Sequence, residues 1–440
     1  MKRFITDQLV EWKNHTNRKP LILRGARQIG KTWIVNEFGK LYFKGKTHVI
    51  NFEKHPDWHS IFDLNFDVQR IVAELEIVLN TKIVKGEDLL FFDEIQSCPS
   101  AIKALRYFYE EMSEQHVISA GSLLEFAFQD ISIPVGRVEF LNMFPMSYPE
   151  FLLATGKSKL AEIVLMSPKK LSDPIHQALI KEVKNYYFVG GMPECVLRYA
   201  ENKSIREVFD IQLNLVDTFR QDFSKYAPYA DKRCLNIVFA SVAKNIGKQI
   251  KYSHLSTDFS IPTIKKAFEL LSLARVIRKL PAASPAGLPL EASASEKKFK
   301  ALMLDIGLMQ QLSGLPADVE YREDDLLAIY RGAMAEQFAG QEFAAAGNDS
   351  LYYWSREEKS STAEVDYLLS HNGRIIPVEI KSGAAGRLRS MHLLLKNYNE
   401  CPYGLVFSGA PYSILPEQKL IFLPLYYAFQ TGANPSQFAL

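Results

Sequence analysis

The sequence predicts an α/β chain, with an N-terminal parallel sheet, a helical middle and a smaller C-terminal α/β region. Three stretches carry that prediction. Residues 21–32, LILRGARQIGKT, run from a short apolar strand through a glycine turn into a helix. Residues 88–94, DLLFFDE, read as a strand buried on both faces that ends in two acids. Residues 364–381 read as two strands joined by a turn at His371-Asn372-Gly373.

The first stretch contains Gly25, Ala26, Arg27, Gln28, Ile29, Gly30, Lys31 and Thr32 in the spacing GxxxxGKT, with Trp33 continuing the helix. The chemistry explains the spacing. Glycines let backbone N–H groups curl round phosphates, the lysine meets the β/γ charge, and the hydroxyl holds Mg²⁺. This is a P-loop, so ATP and Mg²⁺ are the expected cofactors. The 88–94 strand then delivers Asp93 to the Mg²⁺ shell and Glu94 to the attacking water, 61 residues after Thr32. Between them, THVINF at 47–52 is a second strand candidate, and a helix over residues 1–19 is expected beside the nucleotide site.

Residues 117–122, VISAGS, form a further strand and turn that place Ser122 where it can sense the γ-phosphate. A glycine and a serine also suit a plain helix cap there. Arg137 follows Gly136 and is a candidate arginine finger, acting in its own chain or in a neighbouring copy. An exposed, ion-paired arginine is the competing reading.

Several of these motifs carry a family resemblance. GARQIGKT, LLFFDEIQ, ISAGS, the GR before PMSYPEF and the later GGMPECV resemble a family of prokaryotic AAA-type P-loop ATPases. The resemblance spans about Leu21 to Phe407. It implies a C-terminal domain of uncharacterised role with a restriction-endonuclease-like fold.

Residues 158–224 are helical in pattern and are expected to form a lid and linker, with a long helix over 205–221. Residues 234–281 read as a winged helix, with a recognition-type helix over 262–273 and the proline- and alanine-rich 281–295 as a flexible wing or linker. Between residues 241 and 300 there are eleven Lys and Arg against four Asp and Glu. In a chain of formal net charge +2 this local excess is the footprint of phosphate contacts, with Lys251, Lys265, Lys266, Arg275 and Arg278 as candidate DNA-binding residues. A solvated helical face that packs on a partner protein is the alternative.

In the C-terminal hairpin, alternation puts Glu379 and Lys381 on one strand face, and the partner strand brings Asp366 beside them. Oxygen ligands of this kind can hold Mg²⁺ against a phosphodiester. Asp366, Glu379 and Lys381 form the D…ExK arrangement that the resemblance also implies, and Glu336, on a helix predicted over 326–346, is a further candidate nuclease residue. Ordinary cross-strand ion pairing, or a copy that binds DNA without cutting it, stay open beside cleavage.

The composition is that of a globular protein, 47% hydrophobic and 23% charged, with no apolar stretch long enough to span a membrane and no apolar signal core at the N-terminus. A cytoplasmic protein is expected. The four cysteines are far apart, which argues against a zinc ribbon or a disulfide framework. The domain expectation is an ATPase core over 1–155, lid over 156–232, winged helix over 233–315 and nuclease-like domain over 316–440. The function expected is an ATPase acting on DNA, in which hydrolysis alters the angle between lid and winged helix, with a homo-oligomer required if Arg137 serves a neighbour. The rival is an ATP-dependent switch that binds a partner protein and carries an inactive nuclease-like domain.

Overall fold

The computed structural model describes residues 1–130, 134–226, 230–314, 331–358, 361–381 and 388–438. They form two compact units, Lys2–Phe144 and Pro145–Leu440, the latter together with Met1. Among the described residues, no helix is long and apolar enough to cross a membrane.

The Lys2–Phe144 unit contains, in order, α1 (Ile5–Asn14), β1 (Leu21–Arg24), α2 (Lys31–Tyr42), β2 (Thr47–Asn51), α3 (His59–Asp63), α4 (Val68–Leu79), β3 (Leu89–Asp93), α5 (Pro99–Glu111), β4 (His116–Ala120), α6 (Leu124–Asp130) and β5 (Glu139–Asn142). The five strands pair in the order β2-β3-β4-β1-β5, every neighbour parallel. Helical crossovers cover both faces of such a sheet, so its inner strands must be apolar throughout. Every residue of β3 and β4 is indeed buried. On one face Phe92 meets the rings of Phe52, Phe62 and Phe108 edge-on at 5.5 to 5.9 Å. Phe108 comes from α5, whose Ala101, Leu105 and Phe108 recur at helical spacing and are all buried.

The second unit begins with five helices: α7 (Tyr148–Ala154), α8 (Ser158–Leu165), α9 (Asp173–Val189), α10 (Pro193–Asn202) and α11 (Ile205–Tyr226). There follow α12 (Lys232–Lys244), α13 (Tyr252–Leu255), α14 (Ile261–Leu273), β6 (Ile277–Pro281), β7 (Phe299–Met303) and α15 (Ile306–Ser313). Strands β6 and β7 are antiparallel, and Ile250 bridges to Phe299 on the other side of β7. The last elements are α16 (Arg331–Ala345), β8 (Tyr352–Glu358), β9 (Ser361–His371), β10 (Arg374–Ile380), α17 (Arg389–Asn397), β11 (Gly404–Ser408), β12 (Ser413–Leu415), β13 (Leu420–Pro424) and α18 (Ala428–Ala433). Their sheet runs β12-β13-β11-β10-β9-β8, antiparallel between β8, β9 and β10 and parallel from β10 through β11 to β13. The turn between β9 and β10 has Asn372 and Gly373 at φ 50° and 74°, the left-handed pair a tight hairpin requires. The first part of the helix expected over 326–346, residues 326–330, lies outside the described residues, as does the expected boundary at residue 315.

The compact units divide after Phe144, and buried polar contacts bind the later segments to one another. The Glu342 carboxylate of α16 accepts the Tyr148 N–H at the start of α7 at 2.9 and 3.0 Å. Asp305, at the N-terminus of α15, accepts the N–H groups of Gly191, Gly307 and Leu308 at 2.6, 2.9 and 3.2 Å. Met146 donates to the Gly191 carbonyl at 2.7 Å. The PMSYPEF and GGMPE motifs thus meet in the interior of one unit as structural elements. A lid swinging against 233–315 would have to break the bond from the Gly191 N–H to Asp305, costly to leave unmade when buried. One expectation changes here, that for 281–295. Ala283 donates to the Tyr353 carbonyl at 2.8 Å and Ser295 to the Ala282 carbonyl at 2.7 Å, and Leu290 is buried. The segment is pinned to β8 and is not a flexible linker.

Candidate functional site

Strand β1 ends at Arg24, and the loop that follows is shaped by backbone conformations that few residues adopt. Gln28 and Gly30 take φ 66° and 91°, and Gly30 opens α2. Gly25 is needed for space: a Cβ there would stand 2.5 Å from the Met143 carbonyl oxygen. Ala26 and Ile29 are buried and seat the loop, Arg27 is half-buried, and Gln28 is exposed. The first-turn N–H groups of α2 have no carbonyl a turn earlier, so they offer an anion site at the loop. Lys31 is buried, and its ammonium donates to the carbonyls of Gly25 at 2.9 Å and Ala26 at 2.7 Å. Trp33 is exposed on the second residue after it.

Parallel register brings the other groups to the same sheet edge, since β1, β3 and β4 all end there. The Thr32 hydroxyl donates to Asp93 at 3.2 Å, and Asn51 Nδ2, at the end of β2, donates to the same carboxylate at 3.1 Å. Burial, and next the charge of Glu94, raise the Asp93 pKa, while the Thr32 and Asn51 bonds work against them. Glu94 sits at φ 51°, a left-handed conformation that costs a non-glycine residue about 1–3 kcal/mol. That turn lifts its carboxylate off the strand axis, where Gln96 Nε2 holds it at 2.7 Å. Gln96 in turn packs on Gly121, where a Cβ would meet its Oε1 at 2.0 Å, and the adjacent Ser122 is buried. The hydroxyl of Thr32 and the carboxylate of Asp93 form an oxygen set that suits Mg²⁺.

Arg137 lies elsewhere. It precedes β5, whose Glu139 pairs with Leu21 at the start of β1, so it stands at the sheet edge opposite the P-loop. There it is exposed and its Nε donates to Glu110 at 2.7 Å. Sequence reasoning missed two supporting groups, Asn51 and Arg3. The buried Arg3 guanidinium donates to the Ile29 carbonyl at 3.2 Å and the Phe144 carbonyl at 2.7 Å, holding the loop from behind. Nothing in the spacing around Arg3 announces this.

In the second unit, Lys251, Lys265 and Lys266 are exposed, and Lys265 pairs with Glu269 one helical turn on at 3.6 Å. Arg275 is half-buried at φ 59°. Arg278 does not belong to that surface: it is half-buried, it donates to the carbonyls of Asn348 and Asp349 at 3.4 and 3.0 Å, and burial lowers its pKa to about 10. Lys300, counted with the basic footprint, is only 1% exposed. Its ammonium lies 2.5 Å from Glu364, 2.9 Å from Glu336 and 3.2 Å from Asp366.

The hairpin does bring the expected residues together. Asp366 Oδ2 accepts the Ile380 N–H at 2.8 Å, and Lys381 Nζ lies 2.5 Å from Glu379 Oε1 on the same strand face. Four carboxylates therefore face two ammonium groups. Burial, and next Asp366, push Glu336 and Glu379 up, with their ammonium partners opposing the shift. Burial opposes the charge on Lys300, but Glu336, Asp366 and Glu364 outweigh it and raise its pKa. A divalent ion does not fit this set as it stands, because Lys300 already occupies the position between the oxygens. Among the described residues, no group of three or more His, Cys, Asp or Glu is arranged to hold a metal ion.

Comparison with known proteins agrees with the first site. Residues 17–152 match the model of the AAA domain. Residues 180–319 and 331–426 match two domains of unknown function, DUF8612 and DUF4143. The Lys2–Phe144 unit is accordingly an AAA-type P-loop ATPase module. Among solved structures, the chain is similar to a Walker-type ATPase of Pyrococcus abyssi, at 16% identity and TM-score 0.45, covering 71% of this chain and 95% of that one. The RuvB Holliday junction branch migration motor of Thermotoga maritima matches at 14% identity and TM-score 0.31, covering 64% of this chain and 90% of that one. No curated protein matches the sequence.

Proposed function

We propose that the protein hydrolyses Mg-ATP in its AAA-type module and uses the turnover to control its grip on DNA through the second unit. The observation that carries the hydrolytic part is the convergence of Lys31, Thr32, Asp93 and Glu94 at one sheet edge. Loop and helix N–H groups bind the phosphates, and Lys31 exchanges its two carbonyl partners for phosphate oxygens. Thr32 and Asp93 hold Mg²⁺, which neutralises charge on the phosphates when it is bound with nucleotide. Glu94 orients the attacking water and accepts its proton, and Ser122 lies at the same edge to sense the γ-phosphate. Arg137, on the opposite edge of its own sheet, serves the site of a neighbouring copy, so the active form is a homo-oligomer.

For DNA, the support is the order of α12, α13, α14 and the β6–β7 pair, which follows a winged helix and leaves Lys251, Lys265 and Lys266 exposed. Helix α16, the three antiparallel strands β8 to β10, α17 and parallel β11 follow the order of a restriction-endonuclease-like core. Its carboxylates are already paired, three with Lys300 and Glu379 with Lys381, which favours a binding module over a cutting one. Two measurements test the reading. Lys31→Ala is expected to abolish ATP turnover, and wild-type hydrolysis by that variant would remove the assigned site. DNA affinity is expected to fall log-linearly with salt, with a shallower slope in Lys265→Glu/Lys266→Glu. No binding to any DNA at low salt would leave the partner-protein switch in its place.

A further inference from the structure

The carboxylate pocket of the second unit holds four acids from two elements, Glu336 on α16 and Glu364, Asp366 and Glu379 on the β9–β10 hairpin. A fifth residue enters from outside both. Strand β7 is buried along its whole length, and its alternation turns Lys300 towards the pocket while Phe299 packs on Tyr252 and Phe268. The Lys300 stem crosses the face of Tyr353 with its ammonium 5.3 Å from the ring centre. That ammonium then meets three of the four acids. Glu379 is left with one oxygen on Lys381 and the other, Oε2, buried without a hydrogen-bond partner among the described residues.

Buried carboxylates require a cation close by, and a hydrated divalent ion and an ammonium group are alternative ways of supplying one. Here the chain supplies it. Lysine places one charge and three donors among the oxygens, whereas Mg²⁺ or Mn²⁺ would place two charges with short metal–oxygen contacts in the same space. The two cannot share that space.

We propose that Lys300 is the resident cation of this pocket, an ammonium built into the fold in the place of a divalent ion, so that the pocket is organised without metal. This deepens the reading of the C-terminal part as a binding module and does not depend on ATP turnover. It also assigns Lys300 a role that a phosphate-contacting lysine would not have: its removal exposes an oxygen site that a divalent ion can fill.

Mn²⁺ binding followed by electron paramagnetic resonance tests this on the full chain without nucleotide, in an Asp93→Asn background that silences the oxygen set of the AAA-type module. The parent is expected to bind no Mn²⁺ in the pocket. Adding Lys300→Met is expected to create one site, at least about tenfold tighter than any parental binding and lost again on Asp366→Ala. The melting temperature of the Lys300→Met chain is expected to fall and to recover with Mn²⁺, while that of the parent stays unmoved. Parental Mn²⁺ binding that Asp366→Ala abolishes would overturn the proposal, and so would a folded Lys300→Met chain that binds none. Where Lys300→Met does not fold, the parental arm still decides, and Lys300→Gln/Glu364→Gln, with less uncompensated charge, is expected to fold and bind Mn²⁺. DNA binding measured with and without a chelator reads the DNA assignment separately.

Discussion

Replacing Gly25 with alanine tests the P-loop through one atom. The added Cβ would stand 2.3 Å from Ile29 Cδ1 and 2.5 Å from the Met143 carbonyl oxygen. Carbon contacts settle at about 3.5–4 Å, so roughly 1 Å of movement is required. The Ile29 side chain can rotate away. The Met143 carbonyl cannot easily follow, because its residue's N–H is fixed on the Arg24 carbonyl at 2.8 Å and β5 is paired to β1 immediately before it. The loop must therefore yield. Overpacking of this kind costs about 1–3 kcal/mol. A 1 Å displacement of a positioning group costs on the order of 10² in rate, so kcat/KM for ATP is expected to fall about 100-fold, close to 3 kcal/mol of transition-state stabilisation. A coupled phosphate-release assay measures it, with Gly287→Ala as the control, since a Cβ at Gly287 meets nothing within 4 Å. A Gly25→Ala chain within about threefold of wild type would refute the geometry, because that is below 1 kcal/mol.

Glu94→Gln keeps the shape and the neighbour Gln96 but removes the base, so turnover is expected to fall by about 10²–10⁴ with nucleotide affinity retained; single-turnover hydrolysis at the wild-type rate would assign the water to another group. Arg3→Ala removes bonds to the Ile29 and Phe144 carbonyls, each charged bond contributing about 1.5–3 kcal/mol. The variant is expected to melt at lower temperature and to bind ATP more weakly, and an unchanged melting curve would sink that role. Asp305 predicts a pH effect. Burial raises its pKa from 3.8 to about 6 in spite of its backbone partners. The folded state therefore holds the proton more tightly than the unfolded one, and this contribution is lost as pH rises through about 6. From pH 7 down to pH 5 the wild type is expected to gain about 1 kcal/mol of stability relative to Asp305→Asn, in which the group does not titrate. Parallel pH profiles for the two chains would contradict it.

The nucleotide site was legible because its information is local. The spacing of Gly25, Gly30, Lys31 and Thr32 dictates one loop, and the run from Leu89 to Asp93 reads as a strand buried on both faces that ends in an acid. The hairpin of Asp366, Glu379 and Lys381 was legible for the same reason, since period-2 alternation and an Asn-Gly turn set its register. The residues that were misread all depend on what another element brings beside them. Arg278 and Lys300 add to a charge count as any basic residues do, yet one is spent on backbone carbonyls and the other on three carboxylates. The GGMPE and PMSYPEF motifs stood in the sequence only as marks of a family resemblance and proved to be partners inside one unit.

The sequence by itself therefore determined that a P-loop, a buried strand ending in an acid pair and a hairpin of acids and lysine exist in this chain. Only the tertiary structure decided where their charges are compensated. It placed Arg137 at the far edge of its own sheet, Arg3 behind the loop and Lys300 among the hairpin acids. The physical reason is range: backbone geometry and strand alternation act over a few neighbouring residues, whereas an ammonium finds its carboxylates across 36, 64 and 66 positions of sequence, a pairing that only packing can arrange.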